Sequence, residues 1–143
     1  RNPDYGPYGK VIVSGYFTRD PNFAVRVTIR DDGRHKFCIK RPVGEGKPGA
    51  REEFEFKIPA FLAKLLMKLS PTKLVKTRYE TDGWEIDVFK LDDFGSIPLV
   101  IAEWEEAPGK ADVPDPLPFW VIGEVTDNQM FSNQELAWKY GKK

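Results

Sequence analysis

Charged side chains of one sign recur at alternate positions in six segments that are otherwise apolar. Bases alternate in residues 25–30, 36–40 and 76–78, and acids alternate in residues 53–56, 84–88 and 102–105. Residues two apart on a β-strand point to the same side. Each segment would therefore place like charges on one face of a sheet and apolar side chains on the other. Because like charges that close repel each other, each pair needs a partner of opposite sign, on a neighbouring strand or in a ligand.

Two arrangements satisfy that requirement. In the simpler one, an antiparallel sheet packs one face on a core and exposes the other to solvent, and opposite charges pair across neighbouring strands. In the second, the sheet closes into a barrel with its charged face inside. Such an interior needs water, metal ions and a polyanion, since burial of uncompensated charge is very unfavourable. Carboxylates are ligands for Mg²⁺ or Mn²⁺, and Lys and Arg bind phosphate oxygens. The second arrangement predicts a metal-assisted phosphoryl site.

The composition limits the number of domains and argues against several kinds of binding and catalytic site. The 143 residues fit one domain, 1–143, with a sizeable core. Basic and acidic residues number 22 each, so no net field attracts nucleic acid or an anionic membrane. The single Cys38 and the single His35 argue against a disulfide framework, a multi-cysteine zinc site and a Ser-His-Asp triad. No apolar run approaches the ~20 residues of a membrane span and no signal-peptide pattern opens the chain, so we expect a cytoplasmic protein.

The pattern of apolar residues and turns predicts an α+β fold dominated by antiparallel strands. Strands are expected near 11–17, 24–30, 35–41, 51–58, 73–80, 83–90 and 98–105. A hairpin turn is expected at Asp31-Asp32-Gly33 and another at Thr81-Asp82-Gly83. Residues 42–50 and 107–118 carry clustered Pro or Gly and are expected to form loops.

Two helices complete the expected architecture. The first packs on the sheet through apolar residues at helical spacing and exposes Lys64 and Lys68 on its other side; those apolar residues are Phe61, Leu62, Leu65, Leu66 and Leu69. The second, near 133–139, begins with a capping-box pattern in which Ser132 is the N-cap and Glu135 the third helical residue.

Four aromatic residues near the C-terminus admit two interpretations. They could form an exposed patch for a partner chain, or they could dock the long loop and the second helix on the sheet. Large apolar surfaces suit the second role, which we favour. The four residues are Phe119, Trp120, Trp138 and Tyr140.

The ordered series of these segments resembles the CYTH family, also called triphosphate tunnel metalloenzymes. The resemblance covers nearly the whole chain from residue 15. Its matching segments are Gly15-Tyr16-Phe17, 25–30, Ile39-Lys40, 51–59, 76–79, 84–89, 99–105, 123–128, Phe131-Ser132-Asn133 and Leu136-Ala137.

The resemblance implies an eight-stranded antiparallel β-barrel, a tunnel with packing helices outside it, that binds a triphosphate. By position, the phosphate-binding residues would be Arg26, Arg30, Lys40, Lys76 and Arg78, with Arg30 substituting for an Arg that many members carry where this chain has Thr28. Six carboxylates would supply or support sites for Mg²⁺ or Mn²⁺: Glu53, Glu55, Glu85, Asp87, Glu103 and Glu105. One metal would neutralise phosphate charge and a second would activate water for in-line attack.

One hallmark of the family does not appear in this sequence. Members carry a first strand with the motif Glu-x-Glu-x-Lys, and no such motif precedes Gly15. Either that strand lies upstream of Arg1 or this member lacks it, and in the second case a metal site is impaired.

Three functions follow from the resemblance. The first is a divalent-metal-dependent phosphohydrolase that acts on inorganic triphosphate or a related triphosphate. The second is a catalytically degenerate tunnel that binds polyphosphate or a nucleotide. The third, an adenylate cyclase, needs an adenine pocket that nothing in the sequence indicates. The expected partner is a triphosphate-containing small molecule, without nucleic acid or membrane, and the pairing of two chains is left open.

Overall fold

The computed structural model describes residues 9–43, 51–81, 83–89, 91, 98–104, 112–126 and 128–143. In chain order its elements are β1 (Lys10–Tyr16), β2 (Ala24–Arg30), β3 (Lys36–Pro42), β4 (Arg51–Lys57), α1 (Ala60–Leu69), β5 (Thr72–Thr81), β6 (Trp84–Phe89), β7 (Leu99–Trp104), a short 3-10 helix (Gln129–Phe131) and α2 (Asn133–Tyr140). The α+β class is confirmed. The described strands and helices begin and end within about two residues of the predicted bounds, the usual disagreement at element ends.

The seven strands form one antiparallel sheet in the order β4-β3-β2-β1-β5-β6-β7. Short connections join neighbouring strands except between β4 and β5, where α1 carries the chain from an edge strand back to the centre of the sheet. In the described part of the chain the sheet is open, with β4 and β7 at its two edges. The predicted antiparallel sheet is therefore present, whereas closure into an eight-stranded barrel is not seen.

The hairpin between β2 and β3 turns where the sequence places Asp31-Asp32-Gly33. Gly33 has a φ of +84°, a value that residues with a Cβ rarely adopt. Gly83, before β6, has a φ of +87°, while Asp82 lies outside the described residues. Both turns therefore use glycine where the backbone requires it.

The strand register separates the residues onto two faces, because directly opposed residues of antiparallel strands point to the same side. One face, called the charged face below, carries Lys10, Ile12, Ser14 and Tyr16 of β1 together with the residues paired to them in the other strands. The opposite face carries Val11 and Val13 of β1 with Val27 and Ile29 of β2.

Helix α1 packs on the opposite face, over β2 and β1. Its buried residues are Ala63 and Met67, which pack with the fully buried Val27. Close approach depends on Gly15, since a Cβ at that position would lie 2.7 Å from the Cβ of Ser70. Of the five residues predicted to pack on the sheet, Leu66 packs on this cluster and Leu62 is half-buried. The prediction is wrong for Phe61, Leu65 and Leu69, because all three are exposed. The small Ala63 lets the helix sit close to the sheet on the neighbouring part of its surface.

Helix α2 packs on the charged face, at the end where β1 finishes and β5 begins. Leu136 and Ala137 are buried there against Tyr16, Leu74 and Phe89. The hydroxyl of Thr72 donates to the carbonyl oxygen of Ala137 at 2.6 Å. This helix closes one end of the charged face.

The predicted cap of α2 is present in part. The Ser132 hydroxyl accepts a hydrogen bond from the backbone N–H of Glu135 at 3.1 Å. The Glu135 carboxylate makes an ion pair with Arg19 at 2.6 Å. The serine therefore caps the helix as predicted, and the glutamate ties the helix to the chain after β1.

The predicted docking role of the aromatic residues holds for three of the four. The Trp120 ring packs against Trp84, with ring centroids 5.3 Å apart, the indole N–H of Trp138 donates to the carbonyl oxygen of Thr18, and Tyr140 packs on the core under α2. Phe119 is 97% exposed, so within the described part of the chain it does not dock the loop. Neither described α-helix combines the length and apolar character needed to cross a membrane.

Candidate functional site

All ten described residues that the sequence analysis selected lie on the charged face. The bases are on β2, β3 and β5, and the acids are on β4, β6 and β7; the residues are Arg26, Arg30, Lys40, Lys76, Arg78, Glu53, Glu55, Glu85, Asp87 and Glu103. Glu105 lies outside the described residues. The register brings these residues to one side even though they come from six strands.

Small side chains form the centre of the charged face. Ser14 and Thr28 are directly opposed on β1 and β2, both are buried, and their hydroxyl oxygens are 3.4 Å apart. The next pair along these strands is Ile12 with Arg30, and Ile12 also opposes Lys76 of β5. Bases on β2 and β5 therefore lie on both sides of the central strand β1. The short side chains of Ser14 and Thr28 leave space above the sheet between these bases.

The most buried charges of the site belong to β5 and β6. The Asp87 side chain is 2% exposed and that of Lys76 is 9% exposed. Lys76 Nζ donates to Asp87 Oδ2 at 2.9 Å, and Arg78 donates from Nε to Oδ1 at 2.7 Å and from Nη2 to Oδ2 at 2.9 Å. Arg78 Nη1 also lies 2.6 Å from Glu85 Oε2. Both oxygens of Asp87 are therefore occupied by bases.

Burial and pairing shift the pKa values of this cluster in opposing directions. Burial lowers the pKa of Lys76, and the attraction of Asp87 offsets only part of that effect. Burial by itself would raise the pKa of Asp87, but hydrogen bonds from Arg78 and Lys76 outweigh it and hold the pKa below its ordinary value. The hydrogen bond to Asp87 raises the pKa of Arg78. Asp87 is thus held ionised by its two partners.

On β2 and β3 the charges are less tightly held. Arg26 opposes Cys38 on β3 and Tyr16 on β1. Its Nη2 lies 3.5 Å from Glu53 Oε1, and the two side chains are 24% and 39% exposed. Burial raises the pKa values of both the Tyr16 hydroxyl and the Cys38 thiol, so both groups stay protonated near neutral pH. Arg26 therefore lies beside two neutral groups and one carboxylate, whereas Arg78 is paired with two carboxylates.

Two acids of β4 offer ligands to a metal ion. Among the described residues, Cys38 Sγ and carboxylate oxygens of Glu53 and Glu55 lie within 4.8 Å of one another. The thiol is a poor ligand because its raised pKa keeps it protonated. The two carboxylates remain, each with one oxygen near a base: Glu55 Oε2 is 3.2 Å from Lys36 Nζ and Glu53 Oε1 is 3.5 Å from Arg26 Nη2. Mg²⁺ is commonly bound by one or two carboxylates with water and substrate phosphate oxygens completing its shell. The donors therefore suit a hard divalent ion better than a soft one.

A second pair of acids joins β6 to β7. Glu85 and Glu103 are directly opposed, so their Cβ atoms are about 5 Å apart. Like charges at that separation destabilise a sheet unless a cation compensates them. Arg78 supplies one positive charge through its ion pair with Glu85. The exposed Glu103 leaves a second carboxylate available on the same patch.

The end of the charged face away from α2 carries a cluster that the sequence analysis missed. Asp32 lies near three bases: its Oδ2 is 3.4 Å from both Lys10 Nζ and Arg30 Nε, and 2.7 Å from Arg34 Nη2. The hydrogen bond from Arg34 holds the pKa of Asp32 well below its ordinary value. Lys10 alternates with Ile12 and Ser14 along β1, so the period of two could have identified it. This cluster therefore contains three bases and one acid.

A shallow depression elsewhere contains none of the selected residues. It has a volume of about 630 Å³ and is lined by Glu124, Val125, Thr126, Asn128 and Gln129. The Thr126 hydroxyl in its lining donates a 3.0 Å hydrogen bond to the carboxylate of Glu124. The charged face, where bases and acids converge, is the stronger candidate site.

The chain was compared with protein-family models, with curated proteins and with solved structures, and none of the three comparisons gave a match.

Proposed function

We propose that this protein is a divalent-metal-dependent phosphohydrolase that acts on inorganic triphosphate or a related triphosphate. The observation that carries the proposal is the charged face itself. Five bases and five acids, chosen from the sequence for phosphate and metal binding, share one side of the sheet. These charges surround the buried hydroxyl groups of Ser14 and Thr28 at the centre of the face.

Asp87 orients the two bases of β5, Lys76 and Arg78, but does not use all of their hydrogen-bond donors. An ammonium group has three donors and a guanidinium five. Lys76 donates to Asp87 at 2.9 Å and to Asn133 Oδ1 at 3.5 Å, and Arg78 gives two bonds to Asp87 and forms an ion pair with Glu85. The remaining N–H groups can bind phosphate oxygens. In this account Asp87 positions the two bases, and it is not a metal ligand because both its oxygens are in use.

The metal would lie among the remaining carboxylates. Glu53 and Glu55 of β4 and Glu85 and Glu103 of β6 and β7 are the residues that would hold it. A bound Mg²⁺ or Mn²⁺ would neutralise phosphate charge and lower the pKa of a bound water. Arg26, beside Glu53, would donate to the same phosphate chain. The bases and the carboxylates therefore have complementary tasks on one surface.

The finer fold proposal is a tunnel. Curling of the open sheet toward its charged face would bring the β4 and β7 edges together, directly or through an eighth strand. The carboxylates of β4 and β7 would then face the bases of the central strands from the other side. Because α2 closes the end near Tyr16, a ligand would enter from the end that carries Lys10 and Arg30.

A catalytically degenerate tunnel is the second candidate. It is favoured by the cluster on β5 and β6, in which Asp87 is committed to Lys76 and Arg78 and so lost to a metal site. Such a protein would bind a triphosphate through its bases and release no phosphate.

Phosphate release from inorganic triphosphate separates the two candidates. We expect release with Mg²⁺ or Mn²⁺, none with EDTA, and loss of release in Glu103→Gln. The matched control is Glu52→Gln, since Glu52 lies on the opposite face of β4, paired with Arg41, and should leave release unchanged. Binding without release would favour the degenerate tunnel. Absence of both binding and release would refute the proposed function.

A further inference from the structure

We propose that two copies of this chain form a dimer through the outer side of α1 and the neighbouring edge strand β4. The surface, called the α1–β4 surface below, consists of Phe54, Phe56, Phe61, Leu65 and Leu69. It lies on the opposite face of the sheet, so the inference is independent of the proposed function.

The α1 part of this surface is an unpartnered apolar stripe. Phe61, Leu65 and Leu69 are four residues apart, so they lie along one side of the helix, and they are 75%, 53% and 64% exposed. The contact with the sheet is made by Ala63 and Met67 instead. Burial of the helix on its own sheet therefore does not account for these three large side chains.

The β4 part of the surface continues the apolar area beside the helix. Phe54 and Phe56 oppose Ile39 and Phe37 of β3, which places them on the side of the sheet where α1 packs, and they are 40% and 51% exposed. α1 covers β2 and β1, and β4 is two strands from β2, about 10 Å away. The result is a helical ridge next to a flatter apolar shelf.

The area fits a dimer. A phenylalanine side chain buries about 200 Å² and a leucine somewhat less, so the exposed fractions give about 500 Å² for the five side chains of one copy. Two copies would bury about 1,000 Å² from these residues alone, which is the size that a specific interface reaches. An apolar patch of this extent is at the upper end for a monomeric protein.

The shape and the charges fit a second copy of the same chain. A two-fold dimer needs a patch that complements itself, and a ridge beside a shelf meets that need when the α1 of each copy packs on the β4 of the other. α1 carries Lys64 and Lys68 but no acid, whereas Glu52 on β4 lies on the same side of the sheet as Phe54 and is paired within the chain with the partly exposed Arg41 at 3.0 Å. The ridge-on-shelf arrangement would bring lysines toward a carboxylate, while a direct α1–α1 contact would bring lysines together.

Sedimentation velocity over a range of concentrations, up to hundreds of micromolar, tests the inference. We expect the wild-type chain to sediment as a dimer and Leu65→Lys to raise the dissociation constant about 30-fold, the effect of an interface hot spot. The matched control is Val100→Lys on β7, since Val100 is 54% exposed on the same face and Leu65 is 53% exposed. This control should leave the dimer unchanged.

A charge reversal provides a second test that does not alter the apolar residues. Lys64→Glu with Lys68→Glu should weaken the dimer, and addition of Glu52→Lys should restore part of the affinity. Circular dichroism and thermal melting would establish that each variant is folded. A wild-type chain that stays monomeric at all concentrations would overturn the inference. So would a dimer that survives both sets of substitutions, or one that Val100→Lys disrupts as strongly as Leu65→Lys.

Discussion

On β5 and β6 the charges of the charged face are buried and joined by hydrogen bonds of 2.7 to 2.9 Å. On β2, β3 and β4 the corresponding charges are partly exposed, and Arg26 and Glu53 are 3.5 Å apart. The sequence shows the same alternation of like charges in both regions. The difference is one of burial, because the Asp87 and Lys76 side chains are 2% and 9% exposed, whereas those of Arg26 and Glu53 are 24% and 39% exposed. The first region is expected to contribute to stability and ligand orientation, and the second mainly to ligand binding.

Replacement of Asp87 should produce the largest change in stability. In Asp87→Asn, the buried Lys76 would keep its charge without a paired anion and Arg78 would keep only Glu85, and loss of one partner of a buried ion pair costs about 3–5 kcal/mol. We expect the free energy of unfolding, measured by urea denaturation, to fall by that amount. Glu103→Gln, an exposed acid on the same face, is the control and should change it by less than about 0.5 kcal/mol. A small effect of Asp87→Asn would contradict the structural role given to this cluster.

The same carboxylate should make stability depend on pH in acid. The pKa of Asp87 is below its ordinary value of 3.8 in the folded state, so the unfolded chain binds more protons as the pH falls. The stabilisation is therefore fully present above the unfolded pKa and is lost as the pH falls through the folded pKa. Chemical denaturation at a series of pH values below about 6 should show a shallower acid limb in Asp87→Asn than in the wild type. Equal slopes in the two proteins would count against this assignment.

Two arginines of the charged face should separate stability from binding. Arg78→Ala removes a base from the buried cluster while Lys76 still pairs with Asp87, so we expect a loss of about 2 kcal/mol in stability and weaker triphosphate binding. Arg26→Ala removes a loosely paired base and should cost less than about 1 kcal/mol. Its effect on triphosphate affinity should still reach about tenfold or more. Urea denaturation and calorimetric titration of both variants would measure the two quantities. Equal losses of stability in both variants would remove the distinction between the regions.

The smallest effect on folding is expected from the exposed acids of β4. Glu53→Gln should weaken Mn²⁺ binding and leave the free energy of unfolding within about 0.5 kcal/mol of the wild type. Glu52→Gln changes the adjacent residue, which lies on the other face. It should leave the Mn²⁺ affinity unchanged and the free energy of unfolding within the same limit of about 0.5 kcal/mol. Electron paramagnetic resonance titration of Mn²⁺ would report the affinity. Indistinguishable affinities in the two variants would exclude Glu53 from the metal site.

The faces of the strands could be predicted from the sequence because a period of two is a local property. Alternation in 25–30 and 53–56 places Arg26 and Glu53 on the same side as soon as the sheet pairs in register. The partners could not be predicted in the same way. The contact of Asp87 with Lys76 and Arg78 depends on the pairing of β5 with β6 and on burial in the folded sheet, which are long-range features.

The error on α1 has a similar cause. Apolar residues at helical spacing predict which residues could face a core, and on α1 they occupy more of the helix surface than the sheet covers. The small Ala63 and the absence of a side chain at Gly15 determine which part packs, and only the three-dimensional contact reveals that choice. Closure of the sheet likewise depends on how β4 and β7 are positioned, which alternation along a strand does not encode.

Calorimetric titration of inorganic triphosphate in the presence of Mg²⁺ tests the central claim, that the charged face is a triphosphate site, most directly. The decisive comparison is between Arg26→Ala and Arg41→Ala, since these arginines lie on the charged face and on the opposite face. We expect one-to-one binding to the wild type that requires the metal, is weakened about tenfold or more by Arg26→Ala and is unchanged by Arg41→Ala. Absence of binding to the wild type, or equal weakening by the two substitutions, would contradict it.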